Sequence, residues 1–139
     1  METICEVRHY EADDYATIKK WWIDHGADPM PKGMIPQSSV VITIEGEPAG
    51  FGSVFLCNSN HVGFFHGMVT RPGLRLGEAF AVLSAMQDGI DVIMQSGGHT
   101  HLLGTVRGDA MIRGAKKMGF SVSSGTLNQV ERLVKPSTI

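Results

Sequence analysis

VTRPGLRLGEAF, residues 69–80, decides the fold of this chain. Upstream of it apolar residues follow a period of two, and from Gly77 they recur every three or four residues. That change of period marks a strand handing over to a helix. A helix start exposes unpaired N–H groups and the positive end of the helix dipole, so it attracts phosphate without any charged side chain. The strand ends near Val69 and the helix opens near Gly77, which aims the amides of Leu76, Gly77, Glu78 and Ala79 at one point. Small side chains at 77 and 79 permit close approach, and Arg71 or Arg75 adds a charge-assisted bond. A plain strand-to-helix turn would use the same glycine. Glu78 opposes a phosphate unless its carboxylate turns away.

Downstream, Ala79, Val82, Leu83, Met86, Ile90, Ile93 and Met94 form one helical stripe that Ser96-Gly97-Gly98 ends. HTHLLGTV, residues 99–106, reads as a strand, and a last helix runs from about Asp109 to Met118 with Gly119 as its stop. FSVSSGTLNQVERLV then reads as a hairpin. Upstream, HVGFFHGMV at 61–69 is the strand that feeds the loop. Before it stands a hairpin of Val40–Glu45 and Ala49–Cys57 turning at Gly46-Glu47. ADPMPKGMIPQSS, residues 27–39, is a proline-rich loop long enough to be a lid, with Met30, Met34 and Ile35 too apolar for a solvated linker. Asp13 caps a helix from about Asp14 to His25, stopped by Gly26; Tyr15, Ile18 and Trp22 make its apolar face and Trp21 falls at the edge. Residues 3–10 alternate as a first strand. The order predicts an α/β (α+β) fold: a mixed, mostly antiparallel sheet flanked by helices.

The 139 residues, without repeats or linkers, are expected to form a single domain, 1–139. Twelve basic and 14 acidic side chains give a net charge of -2, which argues against nucleic acid and against an anionic membrane surface as partners. No apolar run approaches the roughly 20 residues that cross a bilayer. METICEVRHYE lacks the apolar region of a signal peptide, and Cys5 and Cys57 form no CxxC or Cys/His ladder. The expectation is a soluble, cytoplasmic protein.

The element order, with a glycine turn opening the central helix, resembles the GNAT superfamily of N-acetyltransferases over nearly the whole chain. The family's cofactor loop follows [Q/R]-x-x-G-x-[G/A], and here that stretch reads Leu74-Arg75-Leu76-Gly77-Glu78-Ala79. Gly77 and Ala79 match; Leu74 stands where Gln or Arg is usual. Ala115-Lys116-Lys117-Met118-Gly119-Phe120 is similar to the family's Y-x-K-x-G-F ending, with Ala115 at the Tyr position. Lys20-Trp21-Trp22, the prolines of 29–36 and Cys57-Asn58-Ser59 also look like small phage-encoded GNAT-type proteins.

The resemblance implies an acetyl-CoA-dependent N-acyltransferase acting on a primary amine, on a small molecule or a peptide. It also implies that Met68 and Val69 of the preceding strand hold the pantetheine arm. The cofactor set is therefore Met68, Val69, Arg71, Arg75, Leu76, Gly77, Glu78 and Ala79. His66, two residues before Met68 and so expected on its strand face, is the candidate base, because imidazole titrates near neutrality. Its plainer role is packing beside Phe64. Trp22, Met30 and Met34, with Trp21, line an acceptor pocket or form core. His99-Thr100-His101 has no third ligand at metal spacing, so no metal is expected.

Leu74 and Ala115 each remove a group that the active family uses. They support an alternative: an inactive, phage-encoded GNAT-fold binding or assembly module, acting in the host cytoplasm or virion as a homo-oligomer or on a virion or host protein.

Overall fold

A computed structural model describes residues 2–106 and 108–122, so the expected final hairpin lies almost wholly outside the described residues. The chain divides into two compact units, Met1–Gly104 and Thr105–Ile139. The first holds β1 (Cys5–His9), α1 (Tyr15–Asp24), β2 (Ser39–Ile44), β3 (Glu47–Leu56), β4 (Val62–Thr70), α2 (Leu76–Ser96) and β5 (His101–Leu103). The sheet order is β1-β2-β3-β4-β5, with β1 to β4 antiparallel and β5 parallel to β4. The mixed, mostly antiparallel sheet is the one the sequence predicts.

Each face of the sheet has its own helix. Val82, Met86, Ile90 and Met94 of α2 are buried, and a Cβ on Gly52 would stand 2.6 Å from the Met86 sulfur. Gly52 thus lets the helix ride close to the strand. On the opposite face Ile18, Trp21 and Trp22 of α1 pack with Met30, Val41, Phe51 and Val69. Trp21 is 5% exposed, so it is a core residue and not an edge one. The α1 helix sits deep enough on the sheet that two adjacent positions are covered.

The turns correct the sequence reading in detail. The β2–β3 turn is Glu45-Gly46, with φ of 52° and 81°, and not Gly46-Glu47. Two left-handed residues make a type I′ turn, whose twist matches the strands. The α2 helix ends as expected: Gly98 is left-handed (φ 74°), its amide donates to the Gln95 carbonyl, and the His99 amide donates to that of Met94. Gly26 closes α1 in the same way.

The expected cap at Asp13 is not found: the 3-10 turn Ala12–Asp14 leads into α1, with Glu11 before it and Asp14 at its end reaching back. Asp14 accepts from the Glu11 amide at 2.9 Å and takes two bonds at 2.8 Å from the Arg8 guanidinium, which ties α1 to β1. The Arg8 hydrogen bonds, with the Glu11 amide, hold the Asp14 carboxyl below its usual range against the opposing effect of burial. The folded state thus binds its proton more weakly than the unfolded chain, and the stability gained is present above the unfolded pKa of about 3.9 and lost as pH falls through the lower folded value. Asp14→Asn is expected to cost about 1 kcal/mol at pH 7. Urea unfolding of both proteins should show that gap closing by pH 2–3. A gap that is constant with pH would contradict this account.

In the second unit, α3 spans Gly108–Lys117, carries Lys116 and Lys117 in its last turn and closes at left-handed Gly119. The Phe120 amide donates to the Ala115 carbonyl at 3.0 Å.

Candidate active site

Residues 71–75 join β4 to α2. Gly73 is left-handed (φ 85°) after Pro72, the arrangement of a type II turn. The Arg71 amide donates to the Ala49 carbonyl at 2.8 Å and its guanidinium to that of Pro48 at 3.0 Å. Arg71 therefore anchors the turn to β3. Arg75 is the N-cap in extended conformation, and its side chain is 90% exposed.

The helix opens at Leu76. The Glu78 carboxylate turns back, accepts from the Arg75 amide at 3.0 Å and lies 3.6 Å from the Arg75 Nε. The carboxylate is thereby held on the Arg75 amide and beside the Arg75 guanidinium, which offsets its charge. The Ala79 amide donates to the Arg75 carbonyl at 2.8 Å, so it leaves the expected set of four donors. The amides of Leu76, Gly77 and Glu78 precede the first helical bond, and the guanidinium of Arg75 has no lone pair to cap them. A Cβ on Gly77 would meet nothing within 4 Å. Three uncommitted donors at an unhindered glycine fit a pyrophosphate.

β4 carries the other half of the site. Its parallel pairing with β5 covers only Val62↔His101, Gly63↔Leu102 and Phe64↔Leu103. The strand expected over 99–106 is thus three residues long, and His99 precedes it. The two histidines do not share a strand face: His99 Nε2 donates to the Cys57 carbonyl at 2.8 Å, while His101 is exposed. From His66 to Thr70 no described strand lies on the β5 side of β4. There Gly67 is left-handed (φ 71°), and the pairing slips so that Phe51 faces Val69 while Ser53 faces His66. This is a β-bulge, and the extra residue bends the strand.

The bulge also overturns one inference. His66 shares its face with Val69, three residues on, because the extra residue breaks the alternation that would pair it with Met68. His66 is half-buried, its ring centroid is 6.2 Å from that of Phe55, and its carbonyl accepts from the Ser53 hydroxyl at 2.6 Å. Met68 is half-buried and Val69 is core. Trp22 and Met30 are 5% and 6% exposed and stand behind the bulge, 3.3 and 2.6 Å from where a Gly67 Cβ would be. Met34 is 52% exposed, on a short 3-10 turn at Lys32–Met34.

Sequence reasoning missed His25, whose Nε2 donates at 2.8 Å to the Thr70 carbonyl and fixes the end of β4 where the loop begins. A histidine just past a helix gives no signal for a bond 45 residues away. A depression of about 370 Å³ lined by Cys57, Asn58, Ser59, Asn60, His61, Gly97 and His99 lies at the far end of β4 from this loop. Among the described residues no cluster of His, Cys, Asp and Glu has metal-binding geometry, and no described helix is long and apolar enough to cross a membrane.

No protein-family model and no curated protein sequence matches the chain. Solved structures do. Aminoglycoside N-acetyltransferase AAC(6')-Iy in complex with CoA is similar at a TM-score of 0.68 and 16% identity, over 96% of this chain and 98% of that one. Ard1 from Thermoplasma volcanium gives 0.72 at 19% identity, over 86% and 84%. Rv2747 from Mycobacterium tuberculosis in complex with CoA gives 0.69 at 14%, over 89% and 76%. At these identities the likeness establishes the fold, which is GNAT-like.

Proposed function

We propose that this chain is an N-acyltransferase that moves an acetyl group from acetyl-CoA to a primary amine. The observation that carries the reading is one juxtaposition. The bulged stretch His66–Thr70 of β4, without a described strand on its β5 side, leads within six residues into a helix start with three uncommitted amides. The fold shared with CoA-bound acetyltransferases supports it.

The amides of Leu76, Gly77 and Glu78 and the exposed guanidinium of Arg75 hold the pyrophosphate. Ala79 contributes only small size, and Arg71 holds the turn. The backbone of Met68 and Val69 binds the pantetheine arm. Acetyl-CoA supplies an activated thioester carbonyl. The amine nitrogen would bond to that carbon as the C–S bond breaks. His66 takes the proton the amine sheds, the sulfur leaves as the thiolate, and passing that proton on to the sulfur gives the free thiol and restores the neutral imidazole. Met34 belongs to the acceptor side, with Trp22 and Met30 behind the bulge.

The test is thiol release from acetyl-CoA over a panel of small amines, peptide N-termini and lysine peptides. His66→Gln is expected to lower turnover about 100-fold with acetyl-CoA binding unchanged. Equal turnover in the variant would remove His66 from the reaction.

A second reading keeps the cofactor cradle without catalysis. Leu74 is half-buried in the loop and Ala115 has only a methyl group, so neither supplies the polar group found at that place in active relatives. On this reading the chain is a binding or assembly module, of phage origin by its resemblance. Binding of acetyl-CoA with no thiol release on any amine would favour it.

A further inference from the structure

We propose that the chain dimerises through β1, edge to edge about a two-fold axis at Val7, to make one continuous sheet from two copies. Among the described residues β1 is the outermost strand of the sheet, and Glu6, Val7, Arg8 and His9 are all exposed. An open edge of this kind is a template for another strand unless charge, proline or a bulge blocks it. No proline or bulge interrupts β1, so its charges decide what can pair with it.

The phase of the ladder fixes which groups are available. The Tyr10 amide donates to the Ser39 carbonyl at 3.0 Å, and β1 pairs with β2 in unbroken register from Cys5↔Ile44 to His9↔Val40. Alternation then turns Glu6 and Arg8 toward β2 and leaves the backbone N–H and C=O of Cys5, Val7 and His9 pointing outward. A second β1 can bond only where outward residues meet outward residues.

Three antiparallel registers of that kind use most of the strand. Centring on Glu6 sets Glu6 against Glu6 of the second copy, and centring on Arg8 sets arginine against arginine. Both place like charges directly opposite, which is destabilising. Centring on Val7 pairs all five residues. Val7 faces Val7, Cys5 faces His9, and each Glu6 faces Arg8 of the second copy on the α1 side of the sheet. The Glu6 side chain has no hydrogen bond or ion pair within the chain among the described residues. Arg8 uses two guanidinium nitrogens on Asp14 and keeps donors to spare. The strand is therefore self-complementary in one register and self-repelling in the two beside it.

Apolar surface lies along the same edge. Ile4 is 76% exposed and falls opposite Tyr10 of the second copy, and Val7 is 44% exposed beside Gly89 of α2. Val92, one turn further along α2, is 62% exposed.

Five residues a side is a small interface, so the expected dissociation constant is on the order of 100 μM, weakening with salt. Sedimentation equilibrium of the full chain from about 10 μM to 1 mM should fit a monomer of 15.0 kDa in exchange with a dimer of twice that mass. Glu6→Lys should weaken it at least tenfold. Val7→Pro should abolish it while keeping the monomer's circular dichroism, because the lost N–H points outward. In a Cys5→Ser/Cys57→Ser background, single cysteines at 6, 7 and 8 report the register. Only Val7→Cys should form a disulfide dimer on oxidation. A monomer throughout the range, or a dimer indifferent to Glu6→Lys and Val7→Pro, overturns the proposal. Crosslinking through position 6 or 8 in place of 7 overturns the register.

Discussion

Gly77→Glu is expected to weaken acetyl-CoA binding about 1000-fold while leaving the protein at least as stable as the native chain. The two halves of this result have different causes. A Cβ on Gly77 meets no atom within 4 Å, so the larger side chain costs nothing in packing. Replacing glycine inside a helix removes a propensity penalty of roughly 1 kcal/mol, and a carboxylate in the first turn is favoured by the dipole. Bound phosphate would find that carboxylate where it needs an open approach to the amides of Leu76, Gly77 and Glu78. Two unit charges 4 Å apart near a protein surface repel by about 4 kcal/mol, which is about three powers of ten in affinity. Calorimetric titration with acetyl-CoA, paired with a thermal melt, reads both. A variant that binds normally would remove the helix start from the site. One that loses binding together with its fold would show that Gly77 is structural.

The largest loss of stability is expected from Phe51→Ala, at 3–5 kcal/mol. Phe51 is fully buried, and its ring meets those of Tyr10 and Trp22 edge-on, with centroids 5.5 and 5.6 Å away. Each such pair adds about 0.5–1.5 kcal/mol beyond the buried area. The residue is central because it joins three parts of the fold. It pairs with Val69 across the bulge, packs under α1 through Trp22, and touches Tyr10, the residue that follows β1. A domain is stable by only about 5–15 kcal/mol, so the variant should melt at least 10 °C lower. Chemical denaturation measures the loss directly. A loss below about 1.5 kcal/mol would mean that the cavity collapses and that α1 is held by other contacts.

Much of this fold is legible in the sequence because local chemistry sets it. The change of period at Gly77, the glycines that close α1, α2 and α3, and the apolar runs of β2 to β4 with the tight turns between them each act within a few residues. What was misread depends on distant partners. Trp21 looks like an edge residue on a helical wheel, yet the depth at which α1 docks buries it. HTHLLGTV alternates like a full strand, but only three of its residues pair with β4. In a stretch of FFHGMV nothing marks Gly67 as the bulge, and that one extra residue moved His66 off the face assigned to it. Likewise nothing in the sequence shows that the Glu78 carboxylate turns back onto the Arg75 amide.

The claim at the centre is that the start of α2 and the open side of β4 form one binding site. The most direct measurement is an amide-resolved NMR titration with CoA. The amides of Leu76, Gly77 and Glu78 should shift most, together with those of His66–Thr70, and Gly77→Glu should silence both groups at once. Shifts gathered instead at Cys57–His61 and His99, around the depression at the other end of β4, or no shifts at millimolar CoA, would contradict it.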